Sequence, residues 1–235
     1  MQKKFRIFIT LLSLLFWGAQ SVYASDPDPE AMKALRAMHA NLVKARGLDF
    51  ETRFQGSDAT LRTSDRGTAR FIVRQPNLLR ITATTSKGSF VIVSDGKALT
   101  IHEPAKRRYR QIPAKDSIVG NLYLVAGLVG VEIRMIDFFW TVDYLAGDLG
   151  YGLVTQNGAK KFGAKVCDGY RVARDQDRWD IWVDRSAERW PCHLISKRID
   201  GNAALSQTNA FTWQLAPKIS ASTFKFAPPK GHKPE

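Results

Sequence analysis

From Leu48 onward, apolar and polar residues alternate with a period of two, and the alternating runs are joined by short turns. That pattern constrains the fold more than any other feature of the chain. Strands linked by a few turn residues, with no helix between them, pair antiparallel. The first set of predicted strands is Leu48 to Gly56, Thr68 to Gln75, Leu78 to Thr85, Ser89 to Ser94, Ala98 to His102 and Tyr109 to Ile112. Gln75-Pro76-Asn77, Ser86-Lys87-Gly88, Asp95-Gly96 and Glu103-Pro104 mark the turns, and Asp95-Gly96 is the strongest hairpin signal among them. A second set follows: Leu153 to Gln156, Lys165 to Ala173, Arg178 to Asp184, Cys192 to Ile199, Leu205 to Leu215 and Phe224 to Phe226. Its turns fall at Asn157-Gly158, Asp175-Gln176, Ser186-Ala187-Glu188 and Asp200-Gly201-Asn202, and Pro228-Pro229-Lys230-Gly231 closes the ordered part.

Alternation also separates inside from outside. Phe71 and Val73 share one face and Arg70 and Arg74 the other, while Leu79 and Ile81 oppose Arg80 and Thr82. One side of the sheet is apolar and the other polar. Two helical stretches supply the cover. Ala31, Leu35, Met38, Leu42 and Ala45 recur at helical spacing within Pro27 to Arg46, with Asp26 or Asp28 as cap and Gly47 as stop. Between Lys115 and Ala146 the run Ile118 to Val131 is apolar on nearly every side, with Asn121 its polar exception. It reads as two short helices joined near Gly127 to Gly130. The architecture is therefore α+β: a curled antiparallel sheet of about ten or eleven strands, forming an open barrel under a helical lid.

The N-terminus reads as an export signal. Lys3, Lys4 and Arg6 precede the apolar run Ile7 to Ala19, and Val22-Tyr23-Ala24 offers cleavage after Ala24. The run is shorter than the ~20 residues a membrane anchor needs. Residues 25–235 then form a single domain in an oxidising compartment, the periplasm. Removing Lys3, Lys4 and Arg6 takes three charges from +13 and leaves +10. Outside the cytosol this favours anionic lipid head groups or an acidic membrane-bound partner over nucleic acid, with simple solubility as the bland explanation. Lys106, Arg107, Arg108 and Arg110 concentrate that charge after Pro104. Strand geometry places Cys167 and Cys192 two strand spacings apart, about 10 Å, beyond the ~7 Å limit for a disulfide. Two unbridged thiols are expected.

Reactive groups do not converge. His39, His102, His193 and His232 lie in no metal-binding or nucleophile signature, and no glycine-rich phosphate loop opens a helix. Asp180 and Asp184 flank Trp182 as a conceivable carboxylate pair, but a solvated polar face explains them more simply. Neither an enzyme nor a bound cofactor is expected. Binding fares better: the inward residues Phe71, Val73, Leu79, Ile81, Phe90 and Ile92 face the lid residues Leu122, Val125, Leu128, Phe138 and Trp140. Such a face either forms a dry core or admits acyl chains in place of lid side chains.

Arg74-Gln75-Pro76-Asn77-Leu78-Leu79, then Phe90 to Leu99 through Ser94-Asp95-Gly96-Lys97, then Glu103-Pro104, and finally Phe224-Lys225-Phe226-Ala227-Pro228-Pro229-Lys230-Gly231 resemble in order and spacing the periplasmic lipoprotein-carrier family LolA. Asp177 to Val183, Cys167 to Tyr170 and Phe211-Thr212-Trp213 are similar to an uncharacterised family of predicted periplasmic proteins with the same fold. The LolA resemblance implies an eleven-stranded half-barrel, a mobile lid and a cavity for lipid or lipoprotein acyl chains. It also adds Gln75 to the cavity set. In carriers an Arg at that position faces the cavity and latches the lid, whereas here the neighbouring Arg74 alternates to the other face. The alternative is a sensor or interaction domain of the same fold with a proteinaceous core and no lipid cargo.

Overall fold

The computed structural model describes residues 27–58, 63–129, 153–200, 203–214 and 217–235. The segment expected to be an export signal, with its expected cleavage point, lies outside them. Helix α1 (Pro29–Lys44) leads into β1 (Gly47–Asp58), β2 (Thr63–Arg74), β3 (Leu78–Thr85), β4 (Gly88–Ser94), β5 (Ala98–Glu103) and β6 (Arg108–Pro113). Helix α2 (Ile118–Val129) follows. The chain continues with β7 (Leu153–Phe162), β8 (Lys165–Arg174), β9 (Asp177–Asp184), β10 (Pro191–Asp200), β11 (Ala203–Trp213) and β12 (Lys233–Pro234). The twelve strands form one open sheet in the order β12-β6-β5-β4-β3-β2-β1-β11-β10-β9-β8-β7. Every pairing is antiparallel except that of β12 with β6. The two halves of the meander meet where β1 pairs with β11, Phe50 opposite Trp213.

Both helices cover one face of this sheet. Asp28 caps α1 by accepting from the Glu30 and Ala31 amides, as its position before Pro29 predicts. The helix ends at Ala45, so Gly47 opens β1 rather than stopping the helix. Ala31, Ala34, Leu35, Met38 and Leu42 of α1 and Ile118, Leu122 and Val125 of α2 join Phe50, Phe71, Val73, Leu79, Ile81, Phe90, Ile92, Ile181 and Leu194 in a single apolar cluster.

The opposite, convex face is more than the wet surface expected from alternation. The chain after β11 folds back over it. Phe224 ends a 3-10 turn (Ala221–Phe224) instead of forming a strand, and it is buried beneath the Arg74 guanidinium, 5.6 Å above its ring. Arg74 also donates to the Ile219 carbonyl, and Arg80 to that of Thr223. Order does not stop at Pro228. The Lys233 and Glu235 amides donate to the Arg107 and Tyr109 carbonyls and create β12. Here Phe226 packs on His102 and Tyr109, and His102 Nε2 lies 2.8 Å from His232 Nδ1. Asn157-Gly158, expected as a turn, is instead an irregularity inside a longer β7.

The cysteine expectation is overturned: Cys167 and Cys192 form a disulfide with a Cα–Cα distance of 6.6 Å. Ideal register fails at one point. The β9–β10 ladder shifts between Pro191 and His193, which takes Cys192 out of the regular spacing, and Cys167 pairs with Asp184 at the last residue of β9. A bulge of this kind bends and twists its strand. The bridge lies in a small second core on the convex face with Trp182, Phe162 and Ile195. Lys160 Nζ sits 4.5 Å over the Trp182 ring, and His193 stacks on Phe162. A Cβ at Gly169 would come within 2.6 Å of Trp182 Nε1, so only glycine admits the indole.

Alkylation of denatured, unreduced protein should therefore add nothing, and adding two groups would contradict the bridge. Replacing both cysteines by serine should cost about 3 kcal/mol in urea unfolding, given the 25-residue separation.

Burial, reinforced by the neighbouring His232 charge for His102 and by Lys160 for His193, holds both imidazoles below the ordinary 6.5. Below that value the unfolded chain binds more protons than the folded one, so stability falls as pH drops from 6.5 through the lowered values. Urea midpoints should decline from pH 7.5 to 5. His102→Gln and His193→Gln should each flatten that decline, and an unchanged slope in both would refute it.

Candidate functional site: the concave face and its helical cover

The residues expected to line the concave face come together. Phe71, Val73, Leu79, Ile81, Phe90 and Ile92 are all buried on β2, β3 and β4, and Leu122 and Val125 of α2 are buried in the same cluster. Register explains the alignment. Phe71 faces Ile81, Ile81 faces Ile92 and Val73 faces Leu79, so the side chains form rows across three strands.

Three expectations fail. Leu128 is 38 % exposed in the last turn of α2, where Val129, four residues after Val125, packs against the cluster instead. Gln75 is exposed and lines a surface groove of about 470 Å³ with Arg46, Arg74, Pro217 and Ile219, outside the apolar cluster. Arg110 does not belong to an exposed basic loop: it lies on β6 opposite Ile101, half-buried, with its Nε 3.4 Å from a Glu235 carboxylate oxygen. Lys106, Arg107 and Arg108 are exposed as expected, with Lys106 paired to Glu103 at 2.6 Å and Lys233 aligned beside Arg108. Phe138 and Trp140 lie outside the described residues.

The attachment of α2 was not legible as such. Asn121, the lone polar residue of an apolar helix, is completely buried. Its Oδ1 accepts from the Lys115 amide at 2.8 Å, and its Nδ2 donates toward the Asn77 carbonyl (3.2 Å), the Lys115 carbonyl (3.3 Å) and Ser94 Oγ (3.4 Å). Asn77 reciprocates by donating to the Gly96 and Lys115 carbonyls, both at 3.0 Å. The Ile118 amide donates to the Pro76 carbonyl. The first turn of α2 is thus bound to the β2–β3 and β4–β5 turns by two asparagines.

Alternation on β9 carries charge that is buried, where a solvated polar face was the simpler expectation. Asp180 is buried and accepts from Arg171 Nε (2.6 Å), Arg178 Nη2 (2.8 Å) and Asn157 (3.1 Å). Burial pushes its pKa up, but the hydrogen bonds and charges of Arg171 and Arg178 outweigh burial and leave it lowered. Asp184 is likewise buried, accepting from the Ser186 and Trp190 amides and from Lys165. Each carboxylate is satisfied by structural partners. Among the described residues, no group of three or more His, Cys, Asp or Glu side chains is arranged to hold a metal. No helix among them is long and apolar enough to cross a membrane.

A family model described as Predicted periplasmic protein (DUF2092) matches residues 31–234. The chain belongs to that family. This DUF2092 protein is accordingly periplasmic, as its N-terminal segment predicts. No curated protein matches it. Among solved structures it is similar to MucB, at 10% identity and a TM-score of 0.50, with 86% of this chain and 65% of that chain covered. It is also similar to the Mycobacterium tuberculosis lipoprotein LppX, at 12% identity and 0.48, covering 82% and 100%. A LolA superfamily protein from Nitrosomonas europaea matches at 9% identity and 0.40, covering 83% and 97%. The likeness to MucB shows a shared fold; the lower scores carry no argument. The open sheet with helices on one face is the architecture expected from the sequence.

Asn121→Ala removes four interactions at a fully buried position and leaves backbone groups of Lys115 and Asn77 poorly satisfied. It should cost about 2 kcal/mol of stability. Amide exchange of residues 118–129 should accelerate while β3 and β4 stay protected. Uniform acceleration across the sheet would show that the asparagines hold the whole fold and not the lid root.

Proposed function

We propose that this periplasmic protein binds apolar cargo, the acyl chains of a lipid or lipoprotein, between α2 and the concave rows of β2, β3 and β4. One observation supports the reading above others: the cover over these rows is a short helix fixed by hydrogen bonds at its first turn and by apolar side chains along its length, Ile118, Leu122 and Val125 the most buried of them. Among the described residues the hydrogen-bonded anchors of this cover lie in its first turn, about which it can lift without unfolding the sheet. Burying Ile118, Leu122 and Val125 stabilises the closed form by roughly 5–9 kcal/mol at the usual value per side chain, and each acyl methylene returns about 0.8 kcal/mol. About six to eleven methylenes therefore replace what these three side chains lose, within the length of an ordinary membrane acyl chain. The exposed Arg107 and Arg108, with Lys233 beside them, give the far edge of the sheet a basic contact surface suited to anionic head groups.

A second reading has its own support. Leu122, Val125 and the α1 stripe already fill the concave face with side chains, as a sensor or interaction domain with a proteinaceous core would require. Uptake decides between them. Mature protein should bind a fluorescent fatty-acid probe saturably and carry lipid in native mass spectra. Leu122→Asp should abolish uptake while far-ultraviolet circular dichroism of the sheet persists. Leu128→Asp, at a partly exposed position of the same helix, should weaken uptake far less. A lipid-free mass with no probe uptake by the unaltered protein would favour the sensor reading.

A further inference from the structure

A second opening lies away from the rows under α2. Helix α1 and the strands β7 and β8 enclose a cleft of about 550 Å³ lined in part by Ala34, Ala37, Gly158, Ala159 and Gly169. These residues have little or no side chain, so the volume is left unfilled. Its walls are polar: Glu30, Lys33, Gln156, Asp168, Tyr170 and Arg189. The small residues set the size of the cleft and the polar ones set its chemistry.

Arg189 is the member whose placement most needs explaining. It adopts a left-handed backbone conformation, with φ 52°, which a non-glycine residue occupies at a cost unless its surroundings hold it there. The surroundings do hold it. Buried Asp184 accepts from the Ser186 amide, the Ser186 hydroxyl and the Trp190 amide, bracketing the loop from β9 to β10. From the other side, Asn41 of α1 donates to the Glu188 carbonyl at 2.9 Å. A rigid loop thus presents a guanidinium to the cleft, next to the Tyr170 hydroxyl, whose ring is buried. Burial and the Asp168 charge raise the Tyr170 pKa against the opposing pull of Arg189 and Arg185, so the phenol remains a proton donor at neutral pH.

The acidic residues of the cleft are already countered. Asp168 accepts from Arg185 at 2.7 and 3.1 Å, and Glu30 pairs with Lys33 at 3.7 Å. Strand β7 ends the strand order among the described residues, and its Val154 carbonyl accepts from the Asp28 amide at the start of α1. We infer that the cleft between α1 and β7 is an anion-binding site, in which Arg189 and Tyr170 recognise the phosphate or carboxylate of a small ligand. A planar guanidinium beside a hydroxyl donor gives the fork geometry such oxyanions favour. The inference is independent of whether acyl chains enter beneath α2.

The probes are glycerol 3-phosphate, inorganic phosphate and acetate, titrated into the mature protein and followed by backbone amide NMR. At least one should give saturable shifts centred on residues 156–159, 168–170 and 186–190. A preference for either phosphate probe assigns a phosphate group, and a preference for acetate a carboxylate. Arg189→Gly suits the left-handed φ, so the loop and thermal midpoint should be kept or improved while affinity falls about tenfold or more. Tyr170→Phe should weaken binding by a smaller factor. Lys97→Gln, an exposed cation in the β4–β5 turn outside both proposed sites, should change nothing. No saturable shift with any probe, or full affinity retained in Arg189→Gly, overturns the assignment.

Discussion

The apolar concave face of the sheet has to be kept from water, and two helices do it. Leu35, Met38 and Leu42 of α1 and Ile118, Leu122 and Val125 of α2 complete one continuous cluster with rows from both halves of the meander. At the usual 1.5–3 kcal/mol per buried side chain, these six residues contribute on the order of 10 kcal/mol, comparable to the entire net stability of an ordinary domain. The sheet alone would expose that face, and the helices alone would have nothing to pack against. Sheet curvature, helix placement and the site all follow from this mutual requirement.

The convex face solves a different problem, that of holding a wide sheet in one shape. At one side the returning C-terminal segment lays Phe224 and Phe226 over β3 to β6 and adds the short edge strand β12. At the other, the Cys167–Cys192 bridge and Trp182 tie β8, β9 and β10 together where the register shifts. Arg70 forms a two-point ion pair with Asp49 across β1 and β2, near the junction of the halves. With its backbone braced from outside, the sheet can stay fixed while a helix on the inside moves.

Much of this was legible in the sequence because a period of two is a strong signal and the turns are marked by Asp-Gly, Asn-Gly and Pro. Strands β3, β4 and β5 and the inward residues from Phe71 to Ile92 fall where alternation puts them. What escaped depends on tertiary contact. Nothing local says that Phe224 will cap the convex face or that the chain beyond Pro228 will pair with β6. The disulfide was missed because strand spacing assumes regular ladders, and Pro191 breaks one. Gln75 was assigned inward by analogy with a carrier position, while the polar residues that anchor the cover, Asn77 and Asn121, were visible only as a turn residue and a lone interruption of an apolar helix.

The central claim is that α2 moves off a stationary sheet when apolar cargo enters. Two exposed helical positions allow it to be measured: Val43 on α1 and Tyr123 on α2. With native cysteines bridged, cysteines introduced at these positions can carry spin labels for pulsed electron–electron distance measurement. The account predicts a single short distance without ligand and a longer, broader distribution when a long-chain fatty acid is added to saturation. A distribution that does not change while the fatty acid is demonstrably bound would contradict it.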